Sequence, residues 1–152
     1  MTLTLGLDYG ATMGRWSGGL FSTRATATTF LLEPVEEAWR RPVDLRLERL
    51  SRYEHGWDGY DAAPPSSSVI AYARSILQSA MSPRSPAPSI VPMAEGGLQL
   101  EWHRGGFDIE LAIFTTSDVE LSIEYPDNRE SIEDKPLSNS HFELSKALEE
   151  LA

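Results

Sequence analysis

Six side chains with chemistry to offer stand at alternating positions in three short apolar–polar stretches: Glu101, His103, Asp108, Glu110, Glu120 and Glu124. Carboxylates spaced this way share one face of a sheet, because successive strand residues point to opposite sides. Three chemistries are open to them. They can form a solvated face, dock a basic protein surface, or hold a divalent cation through oxygen ligands, with His103 assisting. A second group lies in His55-Gly56-Trp57-Asp58-Gly59-Tyr60-Asp61. Two glycines and two further Asp make a loop, and Trp57, Asp58 and Tyr60 either plug it onto the core or present an aromatic binding platform. A third is Asp8, which ends an alternating stretch just before Gly10. A strand can deliver such an Asp to a metal, and the glycine lets backbone approach phosphate. No Ser-His-Asp spacing, zinc motif or P-loop accompanies these residues, and His55, His103 and His141 lack metal-ligand spacing. The sequence therefore assigns no catalytic residue, metal ligand or cofactor.

The elements that must position these groups follow from periodicity. Thr2–Leu7 alternates like a short strand, and Gly10, Gly14, Gly18 and Gly19 break the chain into turns before Thr- and Phe-rich Leu20–Leu32. Glu33–Glu54 reads as helical. Pro42 suits a first turn, and Val43, Leu47 and Leu50 form one stripe. Arg46, Arg49 and Arg52 form another and, with Arg40 and Arg41, make the basic cluster of the chain. Ser66–Ser68 offers a cap for a helix carrying Val69, Ile70, Ala73, Ile76, Leu77 and Ala80 on one face. Three prolines between Met81 and Pro88 end it.

A meander comes next. Ser89–Pro92 is a short strand, and Pro92 suggests an edge or a strand end. Leu98, Leu100 and Trp102, then Phe107, Ile109, Leu111 and Ile113, then Val119, Leu121 and Ile123 point inward, with polar residues between them. One apolar and one polar face predict an antiparallel sheet covered on one side by helices. Pairing Trp102 with Phe107 and Ile113 with Val119 would align Glu101, Asp108 and Glu124 in one row, and Gln99, Glu110 and Ser122 in the next. Tyr125–Ser140 reads as a polar, turn-rich connector. Phe142, Leu144, Ala147, Leu148 and Leu151 predict a C-terminal amphipathic helix capped by Ser140.

Composition sets outer bounds. The chain has 152 residues, 41% of them hydrophobic, no cysteine and a formal net charge of −10. Disulfides, thiolate zinc sites and cysteine nucleophiles are excluded. Met1–Arg104 holds eleven acids and ten bases, whereas Gly105–Ala152 holds twelve acids and three bases. Direct nucleic-acid binding is disfavoured, because it calls for a basic footprint. The concentrated acidity points instead to a basic partner, a cation or solubility. No apolar run reaches the roughly 20 residues of a membrane helix, and the N-terminus lacks a signal-peptide pattern. The expectation is a cytoplasmic protein.

Two resemblances add to this. Leu5-Gly6-Leu7-Asp8-Tyr9-Gly10-Ala11-Thr12 resembles the first phosphate motif of actin-like ATPases and sugar kinases, and the opening strand of ribonuclease H-like resolvases. It covers eight residues. The first two folds need a longer chain, and the third needs a βαβ order that this sequence lacks. Gly56-Trp57-Asp58-Gly59-Tyr60, Ala63-Pro64 and Gly96-Gly97-Leu98-Gln99-Leu100-Glu101-Trp102 resemble a family of small uncharacterised bacterial and phage proteins with a WDGYxAxPP-like loop and helix followed by a GG-hydrophobic-x-hydrophobic-E-W strand. This likeness spans roughly Leu45–Glu124, with Asp61 where the family usually has Gly. It implies a fold and a bacterial or phage origin, and no reaction.

The combined expectation is one α+β domain over residues 1–152. It has an N-terminal extension over 1–40, a two-layer core over 41–124 with a meander of about four or more strands, and an acidic connector with a helix over 125–152. The expected function is non-catalytic binding of a basic protein partner, itself a nucleic-acid binder in one version, by an inhibitor, antitoxin-like protein or adaptor. Two alternatives stand beside it: a metal-dependent phosphoryl-transfer enzyme or nuclease using Asp8 and sheet carboxylates, and a structural subunit of a larger assembly.

Overall fold

Helix-forming and strand-forming periodicities separate cleanly along this chain, and the computed structural model places the elements accordingly. It describes residues 37–152, which fall within one compact unit, Pro34–Ala152. The expectations for Asp8, for Leu5–Thr12 and for the strands before Leu32 lie outside the described residues.

Helix α1 spans Arg40–Leu50, shorter than the predicted Glu33–Glu54 at its C-terminal end, where Ser51 and Arg52 form a turn. Trp39, Val43, Leu47 and Leu50 are buried. Pro42 sits in the first turn, where a missing N–H costs no intrahelical bond. Helix α2 spans Ser67–Ala80, with Ser66 accepting the Val69 N–H at 3.2 Å as its N-cap. All six residues of its predicted apolar face are buried.

Five strands form one antiparallel sheet in chain order: β1 Ser89–Pro92, β2 Leu98–Arg104, β3 Phe107–Ile113, β4 Val119–Glu124 and β5 Ile132–Pro136. The fold is α+β, a meander covered on one face by α1, α2 and helix α3, His141–Glu150. The inward residues of β2, β3 and β4 join those of the helices in a single core cluster.

Four expectations need correction. The β2–β3 register differs by two residues, because Trp102 pairs with Ile109 and Arg104 with Phe107. Both registers keep apolar side chains inward, so hydrophobicity cannot choose between them. The turn decides: Gly105 and Gly106 have φ of 63° and 83°, the conformation of a two-residue hairpin that requires positive φ at both positions. The Tyr125–Ser140 connector contains β5 and a short 3₁₀ turn, Leu137–Asn139. Only Ile132 of β5 is even half-buried, so the strand carries almost no periodic signal. Ser140 does not cap α3 with its side chain: its hydroxyl is buried and donates to the Pro136 carbonyl at 2.8 Å. Phe142 is likewise exposed instead of docked.

Candidate functional site

The β2–β3–β4 face opposite the helices collects the polar half of each strand. With the observed register its rows run Gln99–Ala112–Glu120, Glu101–Glu110–Ser122 and His103–Asp108–Glu124. The expected Asp108–Glu124 pairing is present, but Glu101 lies opposite Glu110 and not Asp108. Gln99 likewise stands in a row with Ala112 and Glu120, apart from Glu110 and Ser122. Two like-charge pairs therefore face each other directly, each unfavourable by about 0.2–1 kcal/mol.

His103 sits at the end of this face between two carboxylates. Its Nδ1 lies 2.9 Å from Asp108 Oδ1 and its Nε2 lies 3.5 Å from Glu101 Oε2. The closer contact is not aligned as a hydrogen bond, so Asp108 Oδ1, shielded from solvent, has no donor among the described residues. Glu101 is the most covered of the three, with 21% of its side chain exposed against 53% for His103 and 48% for Asp108.

Strand β5 adds an acid that sequence reasoning missed. The Asp134 carboxylate accepts from the Ser122 hydroxyl at 3.2 Å, and the Asp134 N–H donates to Ser122 Oγ at 3.1 Å. Asp134 has φ of 44° beside a register shift in the β4–β5 ladder, which turns it onto the polar face. A bulge of this kind leaves no alternation to read. The face thus carries Glu101, Asp108, Glu110, Glu120, Glu124 and Asp134. The strand cations lie elsewhere: Lys135 pairs with Leu121 on the helix side and reaches Glu143 at 3.5 Å, and Arg104 pairs with buried Phe107.

Among the described residues no three His, Asp or Glu side chains come close enough to hold a metal ion. Carboxylates spread across an open sheet, without a cleft, cannot surround a reacting group. What they can do is present a continuous negative surface.

The loop residues divide. The Trp57 indole donates to the Ala63 carbonyl at 3.1 Å and packs on Tyr53, with ring centroids 5.3 Å apart. Asp58 Oδ1 accepts the N–H groups of Tyr60 at 2.9 Å and Ala62 at 3.3 Å. Both residues shape the loop. Tyr60 projects outward with 89% of its surface exposed. The loop is stitched to the β1–β2 turn, since Ala63 N–H donates to Ala94 O and Ser66 N–H to Gly96 O. The two stretches that carried the resemblance are thus one structural unit, apart from the carboxylate rows except through Glu101 on β2.

Both sheet edges are blocked against a further strand. Arg46 Nε donates to the Ile90 carbonyl of β1 at 2.9 Å, and β5 carries charges, a bulge and Pro136. This leaves the face as the open surface of the sheet. The fold and site together define an α+β protein with an acidic open sheet. No family model, curated protein or solved structure matches the chain. No helix of the described residues is long and apolar enough to cross a membrane.

Proposed function

We propose that this is a non-catalytic binding protein whose acidic sheet face docks on a basic protein surface. In this reading it serves a prokaryotic or phage system as an inhibitor, antitoxin-like neutraliser or adaptor. The observation that carries it is the six acids gathered on one sheet face that, among the described residues, no element covers and no Lys or Arg shares. Retaining directly opposed like charges costs stability, and a cationic partner would turn that cost into binding free energy. Electrostatic complementarity of this kind speeds association and selects partners more than it adds raw affinity. A partner that itself binds nucleic acid would present a suitable basic surface. Tyr60 supplies an exposed aromatic beside a rigid loop, the residue type enriched at binding hot spots.

The test is capture from a host lysate by wild type and by the Glu101→Lys, Asp108→Lys, Glu124→Lys variant, followed by titration of the purified partner. A basic protein held by wild type, released by salt and lost from a folded variant is the expected result. Equal capture by both proteins would refute a role for this face.

A further inference from the structure

We propose that a cleft on the helix side of the sheet binds a small, neutral, polyhydroxylated ligand of mono- to disaccharide size. The cleft measures about 480 Å³ and lies between α2, the β3–β4 turn and the start of α3. This volume falls within the roughly 300–1,000 Å³ of small-molecule sites. In a chain that is 24% charged, no Asp, Glu, Lys or Arg lines it.

Its floor is apolar, formed by buried Ile76, Val119 and Leu137. Its walls are hydroxyls and one imidazole. The pattern of internal hydrogen bonds sets what those walls offer. Ser75 donates its proton to the Tyr72 carbonyl at 3.0 Å, and Ser79 donates to the Ile76 carbonyl at 2.9 Å. Each hydroxyl therefore has its lone pairs left to give. Ser79 Oγ also lies 3.1 Å from His141 Nε2, which ties the imidazole to the hydroxyl wall.

A wall of hydroxyls, which both donate and accept, suits ligand hydroxyls, which do the same. It suits anions poorly, because no Lys or Arg lines it to supply positive charge. It suits metal cations poorly, because no carboxylate is present. A sugar ring combines a ring of hydroxyls with a C–H face for the apolar floor. Because the walls are open to water, affinity should be modest, with half-saturation at about millimolar ligand.

The test is amide chemical-shift mapping of the full chain with maltose, cellobiose and lactose, using glucose 6-phosphate as the charged control. The expected result is saturable shifts for at least one disaccharide, confined to Ser75–Ser79, Thr116–Val119 and Ser138–His141. Ser79→Ala should weaken binding at least about tenfold. Thr116→Lys, in an exposed turn outside the core, blocks the cleft without touching that hydrogen-bond chain and should also abolish the shifts. Absence of saturable shifts with all three sugars up to about 50 mM would overturn the proposal. So would shifts that survive both substitutions, or equal binding of the phosphate.

Discussion

A Cβ placed on Gly97 would sit 2.6 Å from the Ile113 carbonyl oxygen and 3.1 Å from Met93 Cε. The first neighbour is backbone in the sheet interior and cannot rotate away. Gly97→Ala should therefore destabilise the domain by about 1–3 kcal/mol through overpacking, read as a lower urea midpoint with unchanged slope. An unchanged midpoint would show that β3 yields at Ile113 to admit the methyl group. The Gly96-Gly97 pair is legible in sequence as a turn, and Gly96, with φ of 87°, plays that part. The need for Gly97 is a close approach to the far end of the neighbouring strand at Ile113, which no local pattern records. The same split holds for Trp57, Asp58 and Tyr60. Loop-forming composition marks all three, but only the folded chain turns Trp57 onto Ala63 and Tyr53 and leaves Tyr60 outside.

Among the elements, the segment from Tyr125 to α3 departs furthest from expectation. Arg129 holds it in place: its guanidinium meets Glu150 through two bonds of 3.2 and 2.7 Å, reaches Asp127 at 2.7 Å, and lies 4.3 Å over the Tyr125 ring. Hydrogen bonding to Arg129 is the main cause that holds the Asp127 and Glu150 carboxyls below their ordinary range. Burial pushes the Tyr125 phenol up, against the opposing pull of Arg129. A carboxylate lowered in the folded state stabilises the fold above its unfolded pKa, and that contribution is lost as pH falls through the folded value. Glu150→Gln should accordingly melt below wild type at neutral pH, with the gap closing in acid. Parallel melting curves across the whole pH range would show the clamp to be energetically idle, as many exposed ion pairs are. The Arg129–Glu150 contact does not follow from spacing, since the two residues are 21 apart.

For the whole molecule, the charge asymmetry counted along the chain becomes a surface. Twelve acids after Gly105 are only a number until the meander sorts six of the chain's acids onto one side. Glu110→Lys, opposite Glu101, should raise stability by about 0.5–1 kcal/mol at low salt. The gain should shrink as ionic strength rises, because screening weakens both the repulsion in wild type and the attraction in the variant. Denaturation at low and high salt checks this, and a salt-independent gain would point to packing instead of charge. Such a stabilising change at the proposed docking face is expected to weaken partner binding.

By itself the sequence determined the helices α1 and α2, the strands β1 to β4, their inward faces and the sign of the open face. These rest on periodicity and caps, which act within a few residues. Tertiary structure, and not the hydrophobic pattern, decided the β2–β3 register, the place of β5, the exposure of Tyr60 and Phe142, and the hydroxyl-lined cleft. A two-residue slip preserves every inward side chain, and an edge strand with one half-buried residue has no period to detect. The Gly105-Gly106 hairpin rule could have resolved the first of these. The others depend on which distant segments meet, and local chemistry does not encode that.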